Sequence, residues 1–353
     1  MAQFSPGDTV VVLGAGATRG AKWVDSRSAC LPPLNGDFFT QLQRIQSAKH
    51  QGVVSDVLRD VIGLYGPNFT VTLESYFTQI ETLHAMTALV ALKNPRYSKE
   101  RLENMKRRLL LGVSAVLEES SDVVKGTSKA RKSPCQFHQR LVEALSPTDT
   151  IISFNYDCVI DHALKVHGDG KWSAQYGYGF ADPQRVVGYD RWDAASAPTG
   201  ENLSINLLKL HGSLNFMPFP DDGGEIRLRE RPYRQTGAEV YEIIPPEFAK
   251  RIDRPEFKVL WRRAERALRL ARHLVLIGFS FTPTDLHVDS FFRTAMAGNG
   301  KLENVVIVNP NRDDRKRIRS VLATSLARRE ARVIQFEYFS EFSHQAEALL
   351  SRK

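Results

Sequence analysis

The sequence predicts an α/β protein: a doubly wound, mostly parallel Rossmann-like sheet with a helical insertion. Six short β-branched runs recur along the chain. Most are nearly continuous in apolar residues, as parallel strands buried on both faces require. Helical patterns separate several of them, and strand–helix–strand repetition builds a doubly wound sheet. The first run breaks directly into a glycine-rich turn, "VVLGAGATRGAKW" over residues 11–23.

In chain order, "TVVVLG" (9–14) reads as the first strand. The next run, "TIISFN" (150–155), arrives far downstream, and the residues between are mostly helical in pattern. "FHQRLVEALS" (137–146), stopped by Pro147, is the clearest helix there. Residues 40–148 are therefore expected to form a helical insertion or subdomain within a single domain spanning 1–353. The stretch 168–204, rich in Gly, aromatic and Asp residues, reads as an ordered loop and a candidate lid. "NLLKLHG" (206–212), "HLVLIGFS" (273–280), "NVVIVNP" (304–310) and "RVIQFEY" (332–338) supply the remaining strands. Ahead of the fourth strand, "EFKVLWRRAERALRLAR" puts Phe257, Leu260, Trp261, Ala264 and Leu268 on one helical face.

Composition narrows the function classes. With 42% hydrophobic and 25% charged residues, the 353-residue chain reads as an ordinary globular protein. No apolar stretch approaches the ~20 residues that cross a bilayer. The N-terminus lacks the pattern of a signal peptide, so a cytoplasmic protein away from membranes is expected. The net charge of +8 is concentrated in 226–234, 261–272 and 312–320. Solvated helix faces explain these clusters best, and nucleic acid is expected only through a partner or this basic surface. Three scattered cysteines, Cys30, Cys135 and Cys158, cannot make a four-cysteine zinc knuckle. Asp161, His162, His167 and Asp169 are too irregularly spaced to argue for a metal, and none is expected.

The glycine turn fits neither of two common phosphate-binding patterns. A P-loop needs Gly-Lys followed by Ser or Thr, but here Gly20 precedes Ala21, Lys22 and Trp23. A dinucleotide fingerprint accepts Gly14 and Gly16, but Gly20 falls one residue late and no acidic ribose clamp follows a second strand. What survives is that Gly14 and Gly16 allow backbone amides to approach a pyrophosphate.

Further polar groups fall at the carboxyl ends of the other strands: Asn155 and Asp157, His211, the Gly278-Phe279-Ser280 turn, and Asn309. That is the edge at which open α/β sheets bind ligands. Individually each has a structural explanation; Asn155 and Asp157, for example, favour Asx-turns, and Asp285 suits a helix N-terminus. In this order, Gly14-Ala15-Gly16, Asn155-Tyr156-Asp157, His211-Gly212, Gly278-Phe279-Ser280 and Asn309 resemble the SIR2 (sirtuin-like) family. The closer resemblance is to its bacterial branch that cleaves NAD⁺, in which "PPLNGDFF" (32–39) also has a counterpart.

The resemblance implies roles. Gly14, Ala15, Gly16 and Ala17 would cradle the NAD⁺ pyrophosphate, and Gly278, Ser280 and Asn309 would hold the adenosine half. Asn155 would orient the nicotinamide ribose and an attacking water, Asp157 would contact the carboxamide, and His211 would be the general base. NAD⁺ is then a substrate, hydrolysed to ADP-ribose and nicotinamide without a metal. Protein-deacylating sirtuins carry a four-cysteine zinc ribbon beside the acyl-lysine groove, which this chain lacks; that favours water as the acceptor. The bacterial branch further implies anti-phage defence by NAD⁺ depletion, restrained by homo-oligomeric assembly or by a partner such as a HerA-type ATPase. A zinc-free deacylase or ADP-ribosyltransferase, and a non-catalytic sensor of NAD or ADP-ribose, are the alternatives.

Overall fold

A computed structural model of the protein describes residues 7–21, 30–89, 97–122, 135–230, 232, 241–245, 254–282 and 285–350. Its strands, numbered along the chain, are β1 (Thr9–Leu13), β2 (Thr150–Ser153), β3 (Val186–Val187), β4 (Asn206–Lys209), β5 (Ile226–Arg227), β6 (His273–Ile277), β7 (Asn304–Val308) and β8 (Arg332–Phe336). The short β3 and β5 pair with each other, while the other six form one sheet in the order β4-β2-β1-β6-β7-β8. Every pairing in it is parallel, with Val12 flanked by Ile152 and Leu276 at the centre. All six expected runs are therefore strands of one sheet. Each strand stops before its apolar run does, because the last residues of the run turn out of the ladder into the loops of the carboxyl edge.

The strand order fixes where a ligand can enter. From β1 the chain builds outward through β2 to β4, then returns to the other side of β1 and continues through β6, β7 and β8. The direction reverses between β1 and β6, and loops on either side of such a reversal diverge and leave a crevice.

The helices are α1 (Ala15–Arg19), α2 (Phe38–Gln43), α3 (Gln51–Tyr65), α4 (Leu73–Leu89), α5 (Lys99–Asp122), α6 (Gln136–Ala144), α7 (Val159–His167), α8 (Ala174–Gly177), α9 (Pro255–Leu270), α10 (Leu286–Ala297), α11 (Arg312–Val321), α12 (Ala323–Arg329) and α13 (Phe339–Leu350). One layer joins α6 to α7 and α13; another joins α9 to α10, and α10 to α11 and α12. In α9 the expected stripe of Phe257, Leu260, Trp261, Ala264 and Leu268 is buried, and Pro255 occupies the first turn, where its missing N–H costs nothing.

Buried apolar residues fall into two clusters. The larger surrounds the sheet. The smaller is built mainly by α2 to α5, with side chains from Cys30 to Leu117. Leu214 and Tyr156, from the loops after β4 and β2, also pack there and connect the helices to the carboxyl edge. Although it lies within 40–148, α6 packs on the sheet cluster through Leu141, Val142 and Ala144. The stretch 168–204 is not a lid: Trp172, Tyr178, Phe180 and Trp192 are buried in the sheet cluster, and none of its residues lines the cavity described below. Its aromatic content reflects core packing. Among the described residues, no helix is long and apolar enough to cross a membrane.

Candidate active site

At the direction reversal, the turns after β1 and β6 touch through glycine. A Cβ on Gly16 would lie 2.7 Å from the Gly278 Cα, and one on Gly278 would lie 2.1 Å from the Ala17 nitrogen. Gly278 also has φ of +57°, a region that side chains disfavour. The contact is sealed by hydrogen bonds from the Gly14 amide to the Ile277 carbonyl (3.1 Å) and from the Gly16 amide to the Gly278 carbonyl (2.9 Å). The Ala17 amide donates to the Gly14 carbonyl at 2.9 Å. These glycines thus bring two strand-end turns together, and the Gly14 and Gly16 amides already have acceptors within the protein. Ala15 is the exposed residue of the turn.

Asn155 and Asp157 follow β2. Asn155 donates its side-chain amide to the Gly14 carbonyl (2.9 Å) and to the Thr18 hydroxyl (3.3 Å). With the NH2 group so held, the carbonyl Oδ1 is what Asn155 can offer a ligand. Asp157 is buried; one carboxylate oxygen accepts from the Thr18 hydroxyl at 2.8 Å and the other from the Val159 amide at 3.0 Å. The second bond is an Asx-turn at the entry to α7. Burial raises the Asp157 carboxyl above its ordinary value, against the opposing pull of Lys209 and its two hydrogen bonds.

His211 follows β4 and is 5% exposed. The Phe154 ring meets it edge-on, with centroids 4.9 Å apart, and Trp261 packs nearby. Its Nε2 lies 3.4 Å from Nε2 of His287, in the first turn of α10. Such a contact needs one nitrogen protonated and the other bare, so the tautomers of the two rings are coupled.

Asn309, after β7, is buried and engaged at both ends of its side chain. It donates to the Phe279 carbonyl at 3.1 Å and accepts from the Asn311 amide at 2.8 Å, fastening the β7 turn to the β6 turn.

These turns border a cavity of about 750 Å³. Gly14, Ala15, Gly16, Asn155, Asp157, His211, Gly278, Ser280 and Asn309 all line it. Ala17 does not: it is fully buried in the sheet core behind the turn. The helical segment forms the facing wall, where Pro33, Leu73, Val113 and Leu117 are joined by the buried Glu74. Asn35 holds Glu74, donating to its carboxylate at 3.2 Å and accepting from its amide at 3.0 Å. Arg19 ties α1 to this wall through Asp37 and the Pro32 carbonyl.

Residues 149–330, just over half of the chain, match the model of a family described as the SIR2-like domain. The chain belongs to that family. No curated protein matches it. SIR2-like domains bind NAD⁺, and the family's enzymes are in general NAD-dependent. The matched segment runs from β2 to the end of α12 and leaves β1 and its glycine turn outside, yet in this SIR2-like fold β1 is the central strand.

Several residues in or behind the SIR2-like cavity carry no recognisable motif in the sequence. Thr18 carries no motif of its own; only the fold brings its hydroxyl between Asn155 and Asp157. His287 and Glu74 reach the site from helices whose placement no local pattern reports. Lys209 did leave a signal, as a lysine inside the apolar run "NLLKL". The cysteines are buried and unbridged, and among the described residues no cluster of His, Cys, Asp and Glu is placed to hold a metal.

Proposed function

We propose that the protein hydrolyses NAD⁺ to ADP-ribose and nicotinamide. The observation that carries this reading is that Asn155 and His211, from different strand ends, line one cavity at the sheet's reversal point. Breaking the nicotinamide–ribose bond develops positive charge on the sugar, as in glycoside hydrolysis. The pyridinium nitrogen is already cationic, so nicotinamide departs without a general acid. Asn155 presents Oδ1 to the ribose or the attacking water, and His211 accepts the proton released as water adds. Asp157, with both oxygens engaged, acts by holding Thr18 and so Asn155, in place of the carboxamide contact that the family resemblance suggests. Asn309 in the same way shapes the turns that face the adenosine half, while Ser280 offers its hydroxyl there. With three cysteines the chain cannot form the four-cysteine zinc ribbon that stands beside the acyl-lysine groove of deacylating sirtuins, which supports water as acceptor.

The test is nicotinamide release from NAD⁺ by the purified protein beside Asn155→Ala and His211→Ala. Release without any peptide, lost in both variants, is the expected result. Release only after an acyl-lysine peptide is added would support the deacylase or transferase reading instead. Saturable binding without cleavage, under every activating condition tried, would support the sensor. At the cellular level the reading is cytoplasmic NAD⁺ depletion during phage infection, held in check by self-assembly or by a HerA-type ATPase. A measured fall in cellular NAD⁺ on infection, absent in the His211→Ala strain, would test it.

A further inference from the structure

Lys209 and Asp161 form an ion pair in which both side chains are fully enclosed, with Nζ 3.2 Å from Oδ2. Burying two charges carries a desolvation penalty that pairing often fails to recover, and apolar residues of similar volume commonly serve stability as well or better. The connections of this pair suggest what it does. The Lys209 ammonium also donates to the backbone carbonyl of Asp157, in the loop that carries Asn155. Tyr178 donates to the other Asp161 oxygen at 2.5 Å, and Asn215 donates to the Tyr178 hydroxyl at 2.7 Å. Lys209 is the last residue of β4, two positions before His211, and Asn215 lies four positions after it. One cation therefore joins the loop after β2 to the strand that delivers His211. Burial opposes the Lys209 charge, but Asp161 and its neighbours outweigh that and hold the pKa above the ordinary lysine value.

We propose that Lys209 is a positioning residue, whose ammonium pins the Asp157 carbonyl against Asp161 and so sets the spacing between Asn155 and His211. The proposal rests on the NAD⁺-cleaving reading of the same cavity. Lys209 and Asp161 are away from the cavity lining, so they act through the loop and touch no reacting atom.

Removing one partner leaves the other as an unpaired buried charge and invites misfolding. The informative protein is therefore the full-length double variant Lys209→Met/Asp161→Leu, which retains apolar bulk at both positions. Two readouts are compared with the unsubstituted protein. In hydrogen exchange, the amides of residues 155–159 should lose protection while those of β1 and β6 keep it. In steady-state nicotinamide release, kcat should fall on the order of a hundredfold, the effect of displacing reacting groups by about 1 Å. The KM for NAD⁺ should change less than threefold, because the residues around the β6 and β7 turns are undisturbed. A double variant with a protected loop overturns the proposal, whether or not it turns over NAD⁺. A loosened loop with unchanged kcat also overturns it. Should the double variant not fold, the same readouts on Tyr178→Phe/Asn215→Leu, which weakens the hold on Asp161 without a charge change, must show the same pattern at smaller amplitude, and an unmoved loop there overturns the proposal. If the unsubstituted protein binds NAD⁺ without releasing nicotinamide under any activating condition, the underlying hydrolase reading fails, and the catalytic role proposed for Lys209 fails with it; the exchange result would then report only the pinning of the loop.

Discussion

On the β2–β4 side of β1, the carboxyl edge is organised around buried charge. Lys209, Asp161 and Asp157 are all enclosed there, linked by hydrogen bonds to one another or to neighbouring backbone. On the β6–β8 side, none of the described Asp, Glu, Lys or Arg residues between 273 and 336 is buried. That edge is closed without a buried charge: the Asn309 amide bridges two turns, Gly278 lets β6 meet β1, and the partly exposed Arg315 and Arg317 donate to the Asn309 and Phe281 carbonyls. Under the proposed hydrolase reading, the contrast matches what each half would do. Groups that must hold a reacting bond at fixed spacing need stiff loops, and buried charges tolerate little displacement. A surface that cradles the unreacting part of a ligand needs only a defined shape.

The largest effect should come from the charged half. His211→Ala and Asn155→Ala should each lower NAD⁺ cleavage roughly 10²–10⁴-fold, the range for losing a general base or a water-orienting group, with the fold intact by circular dichroism. Loss of activity through KM alone would erase the functional difference between the halves. On the β6–β8 side, Gly278→Ala should destabilise the protein by more than about 2 kcal/mol, since the new Cβ meets the Gly16–Ala17 backbone at an unfavourable φ. A denaturant titration would measure this, and a neutral result would mean that the two turns part easily. Asn309→Ala leaves the Phe279 carbonyl and the Asn311 amide without their partner and should cost about 1–3 kcal/mol. It should raise KM for NAD⁺ more than it lowers kcat, the reverse of the pattern expected for Lys209.

The smallest effect sharpens the charge comparison. Burial raises the Asp157 carboxyl above its ordinary 3.8, so the folded state holds that proton more tightly than the unfolded chain. The stability this contributes is complete below the ordinary value and is lost as pH rises through the raised one. Asp157→Asn removes the dependence, so its stability relative to the unsubstituted protein should climb with pH across that window. Denaturant midpoints at several acidic and neutral pH values would show this; a pH-independent difference would mean that the carboxyl is not perturbed.

Much of the frame was legible in the sequence because parallel strands buried on both faces are apolar nearly without interruption. The six strands of the main sheet and the convergence of polar residues at one edge follow from that pattern, and the α9 stripe from three-to-four helical spacing. The candidate lid at 168–204 misled because aromatic residues, Gly and Asp occur both in exposed loops and in irregular segments packed on a core. Ala17 misled because a cradle was inferred from adjacency in sequence, whereas the helical turn of α1 carries that residue behind the site. By sequence, Gly14 and Gly16 suit a turn around a pyrophosphate; in the fold, they and Gly278 first make room for one another.

The sequence by itself determined the class of fold and which polar residues would stand at the carboxyl edge, because both depend on local periodicity and on where each apolar run ends. Tertiary structure alone decided which of those residues retain a free group for a ligand. Thr18 takes up Asp157, the Phe279 carbonyl takes up the Asn309 amide, and Lys209 reaches across to the loop after β2. Hydrogen bonds between residues far apart in the chain depend on strand order and register, and no local pattern encodes the partner that a side chain will meet.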